Sequence, residues 1–137
     1  MTTATRGRTI LRPVTRVVTG TGLVLDGVVH LQWAHGHQLA APAGIGQRNL
    51  FRVEAAVALV VAAWVVVRPS RAAYGAALVV AAGALVAVRH RYVDVPAFGP
   101  LPSMCEPLWF AGKTLSAVTE AGAALAAARG LPTGRQP

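Results

Sequence analysis

Charge is what this sequence has least of. Only 13% of its 137 residues are Asp, Glu, Lys or Arg, and just five of those are acids. Soluble domains carry about 25% charged residues, so this chain cannot coat an ordinary soluble surface. Cysteine is equally scarce. The single Cys105 excludes an internal disulfide, and with it the stapled scaffold of small secreted domains. Catalytic signatures are missing as well: no P-loop, no GxSxG elbow and no dinucleotide fingerprint can be read. Gly20-Thr21-Gly22 reads as a small-residue packing patch. The expectation is a non-enzymatic protein.

Apolar residues fill the space. They make up 54% of the chain, and the mean hydropathy is +0.50. That is too hydrophobic for a disordered chain. The net charge is +8, carried by arginines at nearly every basic position. A basic balance can point to nucleic acid. Here the arginines punctuate the ends of apolar runs instead of forming a stripe, as in proteins that use charge to set their orientation in a membrane. Membrane lipid is therefore the expected partner, with another membrane protein or a second copy of the chain beside it, and nucleic acid is not.

About 20 mostly apolar residues cross the hydrocarbon core as a helix. Four stretches meet that description: residues 14–34, 50–67, 72–88 and 108–128. They predict an all-α, integral membrane four-helix bundle, one domain over residues 14–128, flanked by cytoplasmic tails at 1–13 and 129–137. Residues 1–9 read as loose. Arg68-Pro69-Ser70-Arg71 is short enough only for a tight turn between antiparallel helices. A cleaved signal peptide is the competing reading of the first stretch, which has a basic start and small residues at 40–43. The prolines at 96, 100, 102 and 107 stiffen the second long loop, residues 89–107.

Orientation follows from the arginines near the helix ends. Arg6, Arg8, Arg12, Arg16, Arg68, Arg71, Arg129 and Arg135 would lie on one side. Arg48, Arg52, Arg89 and Arg91 would lie on the other. The excess predicts a multi-pass protein of the cell membrane with both termini in the cytoplasm.

Two of the four stretches carry polar stripes at steps of three and four residues. In the first these are Thr15, Thr19, Gly22, Asp26, His30 and Trp33, while Val17, Val24, Val28 and Leu31 share another face. In the fourth they are Lys113, Ser116, Glu120, Ala123 and Ala127, opposite Leu115, Val118 and Leu125. Small residues allow helices to approach closely in lipid. The two stripes should face one another or a common interior.

Ionisable groups inside spans are costly and mark function or pairing. Asp26, Glu54, Lys113 and Glu120 form the expected intramembrane polar cluster, with Lys113 in contact with Glu54 or Asp26. The histidines form a second group. His30, His35, His37 and His90 all fall toward the outer face, and Asp26 and His30 stand one helical turn apart. Imidazole and carboxylate suit zinc, copper or iron, so these four histidines are candidate metal or haem ligands. No zincin spacing is present and no cofactor is otherwise implied. Cys105 and Glu106 read as ordinary loop residues. Trp33, Trp64, Trp109, Tyr74 and Tyr92 read as an interfacial aromatic belt.

The polar first stretch ending His30-Leu31-Gln32-Trp33, the Arg-Pro-Ser-Arg turn and the Lys113–Glu120 final helix together resemble uncharacterised small four-helix integral membrane proteins of high-GC bacteria. In size and helix count the chain also resembles DoxX-type membrane proteins, although no functional residue carries over. The expectation from sequence is a non-enzymatic accessory, assembly or structural component. Two alternatives stand beside it: a transporter or proton-linked component using the intramembrane acids, and a metal- or haem-binding redox protein using the histidines.

Overall fold

The long apolar stretches have too few polar side chains to compete with the backbone for its own hydrogen bonds, so they close into helices. The computed structural model describes residues 3–36, 46–90, 99 and 111–133. These form α1 (Thr3–Gly36), α2 (Gln47–Val67), α3 (Arg71–His90) and α4 (Ala111–Gly130). The architecture is all-helical, as the patterning predicts. Helix α1 packs between α2 and α4, and α3 packs between the same two on the opposite side. Helices α1 and α3 therefore lie across the diagonal. The bundle has a turn end, where residues 68–70 join α2 to α3, and a loop end, where α1 finishes and α2 and α4 begin.

The start of the chain differs from expectation. Residues 3–9 read as a loose tail, yet α1 begins at Thr3 and runs through Pro13. Proline has no N–H to donate, so the helix crosses that point one bond short without ending. The unbroken helix on its C-terminal side carries the chain direction backward past the basic residues.

The turn end is well satisfied. The Ala73 N–H donates to Ser70 Oγ at 3.1 Å, which caps the start of α3. The Arg16 guanidinium donates to the Val66 carbonyl, one of the carbonyls left open at the end of α2. Nearby, Leu23, Val61, Val65, Ala73, Tyr74, Ala77, Ala81, Ala123 and Ala127 make the buried apolar cluster.

Close approach depends on glycine along α1, where a Cβ on Gly20 would stand 2.9 Å from Val66 Cγ2 of α2. A Cβ on Gly22 would stand 2.8 Å from the Ala123 Cβ of α4. A Cβ on Gly27 would stand 3.0 Å from Leu59 Cγ and 3.3 Å from the Ala55 carbonyl of α2. These contacts set the register: Gly22 is level with Ala123, and Gly27 with the Ala55–Leu59 turn.

The distribution of side chains is inverted relative to a water-soluble bundle. Lys113, Ser116, Glu120, Asp26 and Thr19 are buried. Val17, Val60, Val67, Val79, Val118 and Leu125 are all more than 60% exposed. Three stretches, Leu11–Gly36, Gln47–Val67 and Arg71–Val88, are long and apolar enough to cross a membrane. Over its described residues α4 is not among them, because Lys113, Glu120 and Arg129 dilute its hydropathy. Residues 108–110, where the sequence starts the fourth span, lie outside the described residues.

Candidate functional site

The two polar stripes meet along the seam between α1 and α4. On α1, Thr15, Thr19, Gly22, Asp26 and His30 are buried, and on α4 Lys113, Ser116, Glu120, Ala123 and Ala127 are buried. Helical periodicity puts each set on one face, and the Gly22–Ala123 contact brings the faces together. Four residues along from that contact on α1, and three back on α4, stand Asp26 and Glu120. A carboxylate oxygen of each and a ring nitrogen of His30 all lie within 4.8 Å of one another. Asp26 is 1% exposed and Glu120 is 0% exposed.

The hydrogen bonding of this centre is incomplete in a specific way. His30 Nδ1 lies 3.0 Å from the Asp26 carbonyl oxygen and also 3.0 Å from Asp26 Oδ1. Neither carboxyl oxygen of Asp26 accepts a hydrogen bond, although Oδ1 stands at ion-pairing distance from the ring. Ser116 Oγ donates to Glu120 Oε1 at 2.5 Å, and Glu120 Oε2 is left without a partner. One turn supplies one oxygen, and the other points into the centre. A buried polar group without a partner costs about 1–3 kcal/mol, and more if charged. Asp26 and Glu120 bring such oxygens together here.

Toward the loop end the centre is roofed by three rings. The His30 centroid lies 5.7 Å from those of both Trp33 and Phe51, and Trp33 meets Phe51 edge-on at 6.1 Å. These are favourable aromatic geometries. Beside them a cleft of about 250 Å³ opens between α2 and α3, with His30, Phe51 and Glu54 on one wall and Gly83 and Ala84 on the other. Glu54 is half-buried there, and its Oε1 has no partner.

The expected polar cluster is thus rearranged. Asp26 and Glu120 come together, Glu54 stands at the cleft next to His30, and Lys113 is buried farther along α4. Of the two expected partners of Lys113, Glu54 and Asp26, the second takes no hydrogen bond from it, since neither Asp26 carboxyl oxygen accepts one. The register explains this. Lys113 is seven residues loopward of Glu120, about 10 Å at 1.5 Å per residue, which makes it level with Trp33 and not with Asp26. The histidines do not gather either. His35 is exposed, and its Nδ1 bonds the Leu31 carbonyl at 2.9 Å. His90 closes α3 as its last residue. His37, Cys105 and Glu106 lie outside the described residues. Among the described residues, only His30 joins the acids. Phe51 was not singled out by the sequence, although it stands three residues before Glu54 on the same face of α2.

The centre combines two carboxylates and an imidazole in a nearly dry seam, beside a cleft. That set can bind protons or a cation. No protein-family model matches the chain, and the curated proteins and the solved structures likewise contain no match to it.

Proposed function

We propose that this chain is a four-span integral membrane protein, both termini in the cytoplasm, that works as a proton-linked component. Asp26 and Glu120 take up and release protons, and His30 and Glu54 connect them to the cleft. The observation that carries this reading is the approach of two buried carboxyl groups, Asp26 and Glu120, to within 4.8 Å of each other and of His30 in the α1–α4 seam, with carboxyl oxygens that accept no hydrogen bond. A purely structural accessory part would be served better by satisfied polar groups or by apolar ones. Replacing buried charged clusters with apolar residues is often neutral or stabilising. A chain that keeps unsatisfied acids instead uses them.

The membrane setting is supported by the inverted side-chain distribution. Valine and leucine faces more than 60% exposed suit hydrocarbon, while in water they would be aggregation surfaces. The polar stripe of α4 faces α1 and not the surface, so α4 can cross lipid despite its charges. The arginine count supports a cytoplasmic turn end, with the cleft that His30 and Glu54 line on the opposite side. At the turn end, Leu23, Val61, Val65 and Tyr74 close the interior.

The test is reconstitution into liposomes with an imposed pH gradient and an internal pH dye. The wild type dissipates the gradient, and Asp26→Asn or Glu120→Gln lowers the rate at least tenfold while the purified protein keeps its helical content. A wild type as inert as empty liposomes would return the protein to the structural class. Reporter fusions at the two ends check the orientation, and a reporter active outside at either end rules it out.

A further inference from the structure

The Asp26–His30–Glu120 centre has a geometry that a proton alone does not require. Protons need acceptors, singly placed. Here three ligand atoms from two helices converge to within 4.8 Å. We propose that this centre binds a divalent first-row transition-metal ion of the zinc class, through one carboxylate oxygen each of Asp26 and Glu120 and a ring nitrogen of His30. The inference rests on the preceding reading only in taking the centre to be the working site.

Four features point the same way. The first is ligand separation. Two ligands at about 2.0–2.1 Å from a tetrahedral zinc stand about 3.4 Å apart. His30 Nδ1 and Asp26 Oδ1 stand 3.0 Å apart, and the full set closes onto one ion with sub-ångström to ångström movement. The second is availability. Both Asp26 oxygens and Glu120 Oε2 are buried without a hydrogen bond, and one oxygen of each carboxylate lies within 4.8 Å of the other and of the His30 ring. The third is support. Ligating carboxylates are held by a hydrogen bond to the oxygen not used, and Ser116 holds Glu120 Oε1 in this way at 2.5 Å. The fourth is charge. Two carboxylates and a neutral imidazole sum to −2, which a divalent ion cancels, whereas a monovalent ion leaves a net charge in a dry seam.

The donor set selects among ions. Imidazole with carboxylate suits zinc, iron and their neighbours. Magnesium keeps several waters and demands six near-ideal oxygens, and this seam supplies neither the room nor the ligands. Three protein ligands leave a fourth position open, as in sites where the ion exchanges or reacts and unlike closed structural sites. On binding, each carboxyl that was protonated releases its proton, so metal entry and proton release are two sides of one equilibrium.

The experiment uses the full chain purified in mild detergent, stripped with a chelator and titrated with Co(II). One Co(II) per chain with the visible absorption of a four-coordinate site, displaced by Zn(II) and unaffected by excess Mg(II), is the expected result. Proton release into weakly buffered solution accompanies it. Asp26→Asn and Glu120→Gln each abolish the spectrum, and Ser116→Ala weakens binding about tenfold. Should an amide variant fail to fold, His30→Gln and Ser116→Ala carry the test. Absence of saturable Co(II) or Zn(II) binding by the wild type overturns the proposal, as does binding unchanged in the folded variants. If metal binding fails while liposomes still dissipate a pH gradient, the metal proposal falls and the proton-linked reading stands. Stoichiometric metal binding in a protein inert to protons gives the converse.

Discussion

The two ends of this bundle are built on opposite rules. The turn end holds the apolar cluster, in which Val61, Val65, Ala73, Tyr74, Ala77, Ala81, Ala123 and Ala127 interlock around Leu23, beside a cleft of about 240 Å³ lined by Arg12, Arg16 and Tyr74. The loop end is polar and open: Asp26, His30 and Glu120 meet there beside a cleft, with buried Lys113 farther along α4. The same four helices run through both. The difference teaches that α1 and α4 change character along their length, apolar-small toward the turn and ionisable toward the loops. Stability should reside in the first half and function in the second.

That division can be broken experimentally. The largest effect is expected at the turn end. Tyr74 is 2% exposed and lies against Gly130, so Tyr74→Ala should cost about 3–5 kcal/mol, read from unfolding in mixed detergent, without altering Co(II) binding. An equal loss of metal binding would show that the halves are not separable. At the open end the sign reverses. Replacing the acids together, Asp26→Leu with Glu120→Met, removes orphaned buried groups and should raise stability by about 1–4 kcal/mol while eliminating proton exchange. A destabilised double variant would mean that the acids hold the seam together.

Smaller effects sharpen the boundary. Gly22 sits where the two regimes meet, and its Cβ position is occupied by Ala123. Gly22→Ala should cost about 1–3 kcal/mol by pushing α1 from α4. Because that shift separates Asp26 from Glu120, Co(II) affinity should fall with it. A stability loss at constant affinity would put the seam's flexibility elsewhere. The smallest change is Ser70→Ala, which removes the cap of α3 and should cost about 1 kcal/mol in unfolding, with proton exchange untouched.

Much of this was legible from spacing. The stripe of Thr15, Thr19, Gly22, Asp26 and His30 turns inward, and Val17, Val24, Val28 and Leu31 turn outward, because a period of 3.6 sorts faces without knowledge of the neighbours. The facing of α1 by α4 was legible too, since two polar stripes in an apolar chain have only one another to meet. What spacing does not hold is axial register. Whether Asp26 meets Lys113 or Glu120 depends on how far one helix slides along another, and the glycine contacts at 22 and 27 decide it through tertiary packing. The histidines show the same limit. Four of them share an end of the molecule in sequence, yet of the two whose side chains are described His30 lies on the inward face and His35 turns back on its own helix. Residues 3–9 were misread because a basic, polar segment looks like a tail when its helical continuation is ignored.

The alanines at positions 73, 77, 81, 123 and 127 have a thermodynamic consequence as well. Helices associating in lipid gain no hydrophobic driving force, so what attraction remains comes from close contact. Alanine and glycine have no rotamers to surrender when they are buried, whereas a long side chain gives up as much as about 1.5–2 kcal/mol. A seam made of them assembles almost free of side-chain entropy loss, and that lets weak contact forces at one end hold steady a bundle whose other end is kept unsatisfied.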